Sequence, residues 1–216
     1  MDNNKIKAVI FDMDGVIVDS EPLHFEAHKK ALEKFGIELS LEDYMDFGVA
    51  QGDDNLYEKA AQKFDIKIDK EEISKLKKRI YREIFDQKAE LRVGVLELIK
   101  ILCKKYDLAI ASSGTKDVVN HVVERFSLGD YFKVIVTGDD VERVKPYPDI
   151  YIKASQLLYA SENECIALED SETGVSAAKS AGIRCIAVPC DFTRSQNLSK
   201  ADLILDDLEE VTNKLF

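Results

Sequence analysis

Apolar positions recur in this chain with two different periods, and the change between them divides it. Ala8-Val9-Ile10-Phe11 is a short apolar run with charge on both sides, which predicts a buried strand. From residue 19 to about residue 88 the period becomes helical. Asp19-Ser20-Glu21-Pro22 has the character of a helix start, since Asp or Ser can cap and Pro22 suits a first turn. Phe25, His28, Ala31, Leu32 and Phe35 then recur at helical spacing until Gly36 stops the run. Residues 41 to 64 give shorter helical patterns with a break at Gln51-Gly52-Asp53. Between Glu71 and Asp86, Ile73, Leu76, Ile80 and Ile84 form one stripe, and Lys75, Lys77, Lys78, Arg79 and Arg82 make an opposite face that reads as solvated.

The remainder alternates. Helical patterns over Val95 to Lys105, Val118 to Phe126, Ile150 to Tyr159 and Gly174 to Ala181 are separated by apolar runs. These runs are Leu108 to Ala111, Val134 to Val136, Cys165 to Leu168, Cys185 to Val188 and Leu203 to Leu205, with a last helix at the end. Strands alternating with helices imply βαβ units and a parallel sheet covered on both faces. The first strand belongs to the same layer, so the helical block is an insertion behind it. The expected architecture is α/β: a Rossmann-like, doubly wound parallel sheet core from residues 1–18 and 89–216, with an inserted all-helical cap over 19–88.

Composition narrows the classes of function. A net charge of −11 argues against nucleic-acid and anionic-membrane partners, which are themselves polyanions. No apolar stretch approaches the ~20 residues of a membrane span, and the start, MDNNKIK, lacks the apolar core of a signal peptide. Cys103, Cys165, Cys185 and Cys190 have neither CxxC spacing nor a His pair beside them, so reduced thiols are expected rather than disulfides or zinc. A cytoplasmic monomer is the expectation.

The chemistry collects at strand ends. Asp12 and Asp14 close the first strand, and residues two apart in a strand point the same way. Like charges held that close require a proton or a cation between them. Ser112-Ser113-Gly114 offers a hydroxyl and backbone N–H groups to an anion just before a helix. In VKPYPDIY the prolines would hold the segment extended and aim Lys145. Glu169-Asp170-Ser171 closes another strand. Each has an ordinary explanation: an acidic turn, a helix cap, a solvated lysine, an acidic helix start. Together they supply the parts of phosphoryl transfer. Clustered carboxylates suit Mg²⁺, and a lysine and a hydroxyl suit phosphate oxygens. An ionised carboxylate can attack without a base.

The arrangement hhhDxDG at Val9 to Gly15, hhhSS at Ala109 to Ser113, KP at Lys145-Pro146 and EDSxxG at Glu169 to Gly174 resembles the haloacid dehalogenase superfamily of phosphohydrolases over essentially the whole chain. The resemblance implies Asp12 as nucleophile and Asp14 as general acid/base, with Ser112, Ser113, Gly114 and Lys145 around the transferring phosphate. It implies Mg²⁺ held by Asp12, the main-chain oxygen of Asp14 and Asp170, with Glu169 helping. The insertion looks like the helical cap of the β-phosphoglucomutases and sugar-phosphate phosphatases. His24 in DSEPLH falls at their cap histidine, and Lys77 roughly at their cap lysine. Gln51 stands where a mutase has the arginine for a second phosphate, which favours phosphatase over mutase. The substrate implied is a small phosphorylated metabolite, a sugar phosphate by preference. The alternatives are a β-phosphoglucomutase-type phosphotransferase and an inactive phospho-ligand binding protein, the latter disfavoured because a binder needs no complete catalytic set.

Overall fold

The computed structural model describes residues 6–47, 49 and 53–215. The order of elements is β1 (Ala8–Phe11), α1 (Glu21–Glu33), α2 (Leu41–Phe47), α3 (Asp53–Phe64), α4 (Lys70–Lys88), α5 (Val95–Leu102), β2 (Asp107–Ala111), α6 (Lys116–Arg125), β3 (Val134–Val136), α7 (Asp149–Leu157), β4 (Cys165–Glu169), α8 (Glu172–Ser180), β5 (Arg184–Ala187), β6 (Leu203–Ile204) and α9 (Glu209–Leu215). They form two compact units, Met1–Val18 with Leu91–Phe216, and Asp19–Glu90.

The first unit holds a six-stranded parallel sheet in the order β3-β2-β1-β4-β5-β6. The chain winds outward from β1 through β2 to β3, then returns across β1 to start β4 on its other side. In open α/β sheets such a reversal marks where ligands bind, outside the carboxyl ends of the central strands. The strands are apolar along their length because both faces are covered. Alternate residues Ala8, Ile10, Ala109, Ala111 and Ala167 pack with Ile150, Tyr151 and Ala154 of α7 and Val175, Ala177 and Ala178 of α8. On the opposite face Phe11 meets Phe132 edge to face, with ring centroids 5.6 Å apart. Small residues on the first face let α7 and α8 sit close to the sheet. Helix α5 stops at Leu102, three residues before the end of the pattern, and Cys103 to Lys105 form a turn. The segment expected to be extended by its prolines is a turn as well. Tyr147 N–H donates to the Val144 carbonyl at 3.0 Å, and the Lys145–Pro146 bond is cis. Proline fits tight turns as readily as extended chain.

The second unit is helical throughout its described elements, with α1 packed along α4. Pro22 sits in the first turn of α1, but Ser20, at the N-cap, makes no side-chain cap hydrogen bond and has helical dihedrals. Asp69 does cap α4, accepting from the N–H groups of Glu71 and Glu72. The stripe on α4 lies one residue over from the expected one. Ile73, Lys77, Tyr81, Ile84 and Phe85 are buried, while Leu76 and Ile80 are half-buried. Lys77 is therefore on the inner face rather than the solvated one. An i, i+4 step from Ile73 puts it there, and its ammonium finds a carboxylate inside.

Candidate active site

Asp12 follows β1, Ser112 follows β2 and Glu169 closes β4, three adjacent strands in register at Phe11, Ile110 and Leu168. The lysine of the Val144–Tyr147 turn reaches the same place. Lys145 Nζ lies 2.6 Å from Asp12 Oδ1 and 2.7 Å from Glu169 Oε1. The Tyr151 hydroxyl of α7 donates to that same Glu169 oxygen at 2.6 Å. Asp12, Glu169 and Asp170 are buried and offer carboxylate oxygens within 4.8 Å of one another. Asp170 Oδ2 accepts from Thr193 Oγ1 at 3.1 Å and from Cys190 Sγ at 3.5 Å.

Two glycines make this density possible. Gly15 has φ +76°, and a Cβ there would collide with the Asp170 carboxylate. A Cβ on Gly174 in α8 would occupy the position of the Glu169 carboxylate. The glycines that end DxDG and EDSxxG are thus spaces for carboxylates.

Burial pushes the Asp12 carboxyl up to about 8, Lys145 opposes this, and Glu169 and Asp14 add to it. Burial would lower the Lys145 ammonium, but Asp12 and Glu169 outweigh it and raise the net value. Three carboxylates and one ammonium, all ionised, carry a net charge of −2 in a buried place. This donor set fits a hard divalent cation that prefers oxygen ligands. Burial thus works against an ionised Asp12, while Lys145 works for it and a bound cation would add to that.

Asp14 is near enough to raise Asp12, but its carboxylate is not among the three within 4.8 Å. The strand ends at Phe11, so the two-residue alternation no longer applies at Asp14. Ser112 is fully buried, and its Oγ accepts the Gly114 N–H at 3.1 Å. That N–H is therefore already committed, while the hydroxyl hydrogen remains a donor. Ser113 is exposed, and Gly138 packs so tightly under its carbonyl that a Cβ would clash.

Within the helical unit, His24 and Lys77 both meet Tyr81. His24 stacks on its ring with centroids 4.2 Å apart, and Lys77 Nζ lies 5.6 Å from the ring centre. Lys77 Nζ is 3.2 Å from both oxygens of Asp53. His28 Nε2 lies 3.3 Å from Asp53 Oδ1, and the His28 ring packs against Tyr44 and Tyr57. Gln51 lies outside the described residues. Burial lowers His28 from its usual 6.5 to about 4, with Asp53 opposing. Its neutral form is therefore the folded one. Stability should be fully present above about 6.5 and fall as the pH drops toward 4, by on the order of 3 kcal/mol at most. Urea unfolding between those limits should be less steep in pH for His28→Gln than for the parent; equal slopes would remove His28 from this role.

Tyr151, Thr193, Asp53 and His28 carry contacts that the motif reading does not single out. Tyr151 had a signal in principle, six residues after Lys145 in the same VKPYPDIY segment. Thr193 had none, because its contact with Asp170 spans 23 residues.

Residues 9–188 match the family model described as haloacid dehalogenase-like hydrolase. Over 211 residues the chain is 37% identical to the protein YhcW of Bacillus subtilis, covering 95% of this chain and 94% of that one. It is 35% identical over 181 residues to the phosphorylated carbohydrates phosphatase of Thermotoga maritima, 82% of each. The crystal structure of CbbY from Rhodobacter sphaeroides in complex with phosphate superposes with a TM-score of 0.81 at 28% identity, covering 95% of this chain and 96% of that one.

Proposed function

Because the chain belongs to the haloacid dehalogenase-like hydrolase family, we propose that it is a Mg²⁺-dependent phosphatase for a small phosphorylated metabolite, a sugar phosphate by preference, working through an aspartyl-phosphate. The observation that carries this reading is Lys145 bridging Asp12 and Glu169 beside Asp170, at the carboxyl ends of the central strands. Asp12 attacks phosphorus, forming an acyl phosphate as the ester P–O bond breaks. Asp14 gives its proton to the leaving oxygen, then takes one from water as that water attacks phosphorus and releases phosphate. Lys145 and the Ser112 hydroxyl hold the phosphate oxygens. Asp12, Glu169 and Asp170, with the main-chain oxygen of Asp14, would hold the cation, which supplies positive charge against the phosphoryl oxygens when bound. Glu169 also positions Lys145, since both share the hydrogen bonds that Tyr151 completes.

Phosphatase is favoured over mutase by the state of the cap cation. A mutase must grip a second phosphate, for which a paired, desolvated lysine is poorly placed. Lys77 is only 5% exposed and already holds Asp53. The test is a phosphate-release screen over a panel of phosphorylated metabolites, with β-glucose 1-phosphate plus catalytic bisphosphate included. Free phosphate from a sugar monophosphate, with no glucose 6-phosphate above background, is the expected result. Efficient glucose 6-phosphate formation with little free phosphate would establish the mutase reading.

A further inference from the structure

Arg92 follows the return of the chain to the sheet-bearing unit and belongs to none of the motifs. Its Nη1 donates to the carbonyls of Gly15 and Val188, each at 2.5 Å, and its Nη2 to the Pro189 carbonyl at 2.8 Å. Its own backbone N–H donates to the Ile17 carbonyl at 2.9 Å, which fixes where the side chain starts. One guanidinium thus ties the loop after β1 to the loop after β5.

Both of those loops end on Asp170. Gly15, from the first, lies against the Asp170 carboxylate so closely that a Cβ would collide with it. The second runs from Val188, whose N–H donates to the Glu169 carbonyl at 2.7 Å, into a turn closed by Thr193 N–H to the Cys190 carbonyl at 3.1 Å. In that turn Thr193 Oγ1 accepts the Cys190 N–H at 3.0 Å and lies 3.1 Å from Asp170 Oδ2. From these contacts we infer that Arg92 is a positioning residue for Asp170, setting the cation affinity of the site through the two loops that flank that carboxylate. Loop carbonyls past the strand ends have no ladder partner and need a donor. A planar fork with five N–H groups spread over three nitrogens spans three of them on two segments at once, whereas a lysine offers three N–H groups from a single nitrogen.

The inference rests on the proposed metal role of Asp170, and the test separates the two. Mg²⁺ binding is measured by titration calorimetry on the parent, Arg92→Lys, Arg92→Met and Thr193→Val, with melting temperatures taken without metal. The expected result is a Mg²⁺ dissociation constant raised about 10- to 100-fold in each variant, as for other groups that orient a ligand. In assays, the Mg²⁺ concentration for half activity should rise by a similar factor, while KM for the phosphorylated substrate at saturating Mg²⁺ moves much less. A purely structural arginine would lower the melting temperature and leave the Mg²⁺ constant unchanged, and that result in Arg92→Lys would overturn the inference. Arg92→Lys retains charge and stem, and so keeps the test available where Arg92→Met does not fold. Absence of Mg²⁺ binding by the parent would instead overturn the metal reading and this inference with it.

Discussion

Asp12→Asn should lower turnover by about 10³-fold or more while leaving the fold intact, because it removes the charge that attacks phosphorus and little else. The amide matches the carboxylate in size, and its oxygen can still accept from Lys145, which also keeps Glu169 at 2.7 Å. Burial has already driven the Asp12 carboxyl up to about 8, so an ionised group there opposes folding. The variant should therefore melt at or above the temperature of the parent in metal-free buffer. Steady-state phosphate release and a thermal scan on the same preparation check both halves. Near-normal turnover would remove Asp12 from the chemistry, and a large fall in melting temperature would make the loss of turnover uninformative.

Chelation should abolish activity as completely. With all three acids ionised, Asp12, Glu169 and Asp170 lie within 4.8 Å of one another, with Lys145 bridging two of them. A divalent cation relieves the remaining repulsion, and binding only the folded state raises stability by about 2.7 kcal/mol at a hundred times its dissociation constant. EDTA should stop phosphate release, Mg²⁺ should restore it, and the protein should melt several degrees higher with Mg²⁺ than without. Ca²⁺ should inhibit, since it is larger and accepts more ligands in looser geometry. Hydrolysis that resists the chelator would assign the acids another task.

The sheet was legible because its signals are local. The run Ala8 to Phe11 is flanked by charge and forms a strand over those same residues, and the run Val134 to Val136 also forms a strand over its own length. The helices alternating with such runs leave few topologies open. Lys77 was misplaced by the same local reasoning. Periodicity reads a lysine as solvated, whereas its burial depends on Asp53, 24 residues earlier on another helix. Arg92 was invisible for a related reason: its partners are main-chain carbonyls 77 and 96 residues away, which carry no side-chain signature. The committed N–H of Gly114 shows a third limit, since Ser-x-Gly spelled anion binding while the local turn uses that donor itself. Motif spacing identifies the groups that gather, and long-range contacts decide what each is free to do.

The proposed mechanism places a covalent phosphoryl group on Asp12. Acid-quenching the enzyme during turnover of the best substrate from the screen, followed by peptide mapping with mass spectrometry, detects that group. The expected result is a phosphoryl mass increase on the peptide containing Asp12, present with Mg²⁺ and absent both in EDTA and in Asp12→Asn. Phosphate release at full rate with no phosphorylated peptide, or with the phosphoryl group on another residue, would rule out Asp12 as the nucleophile.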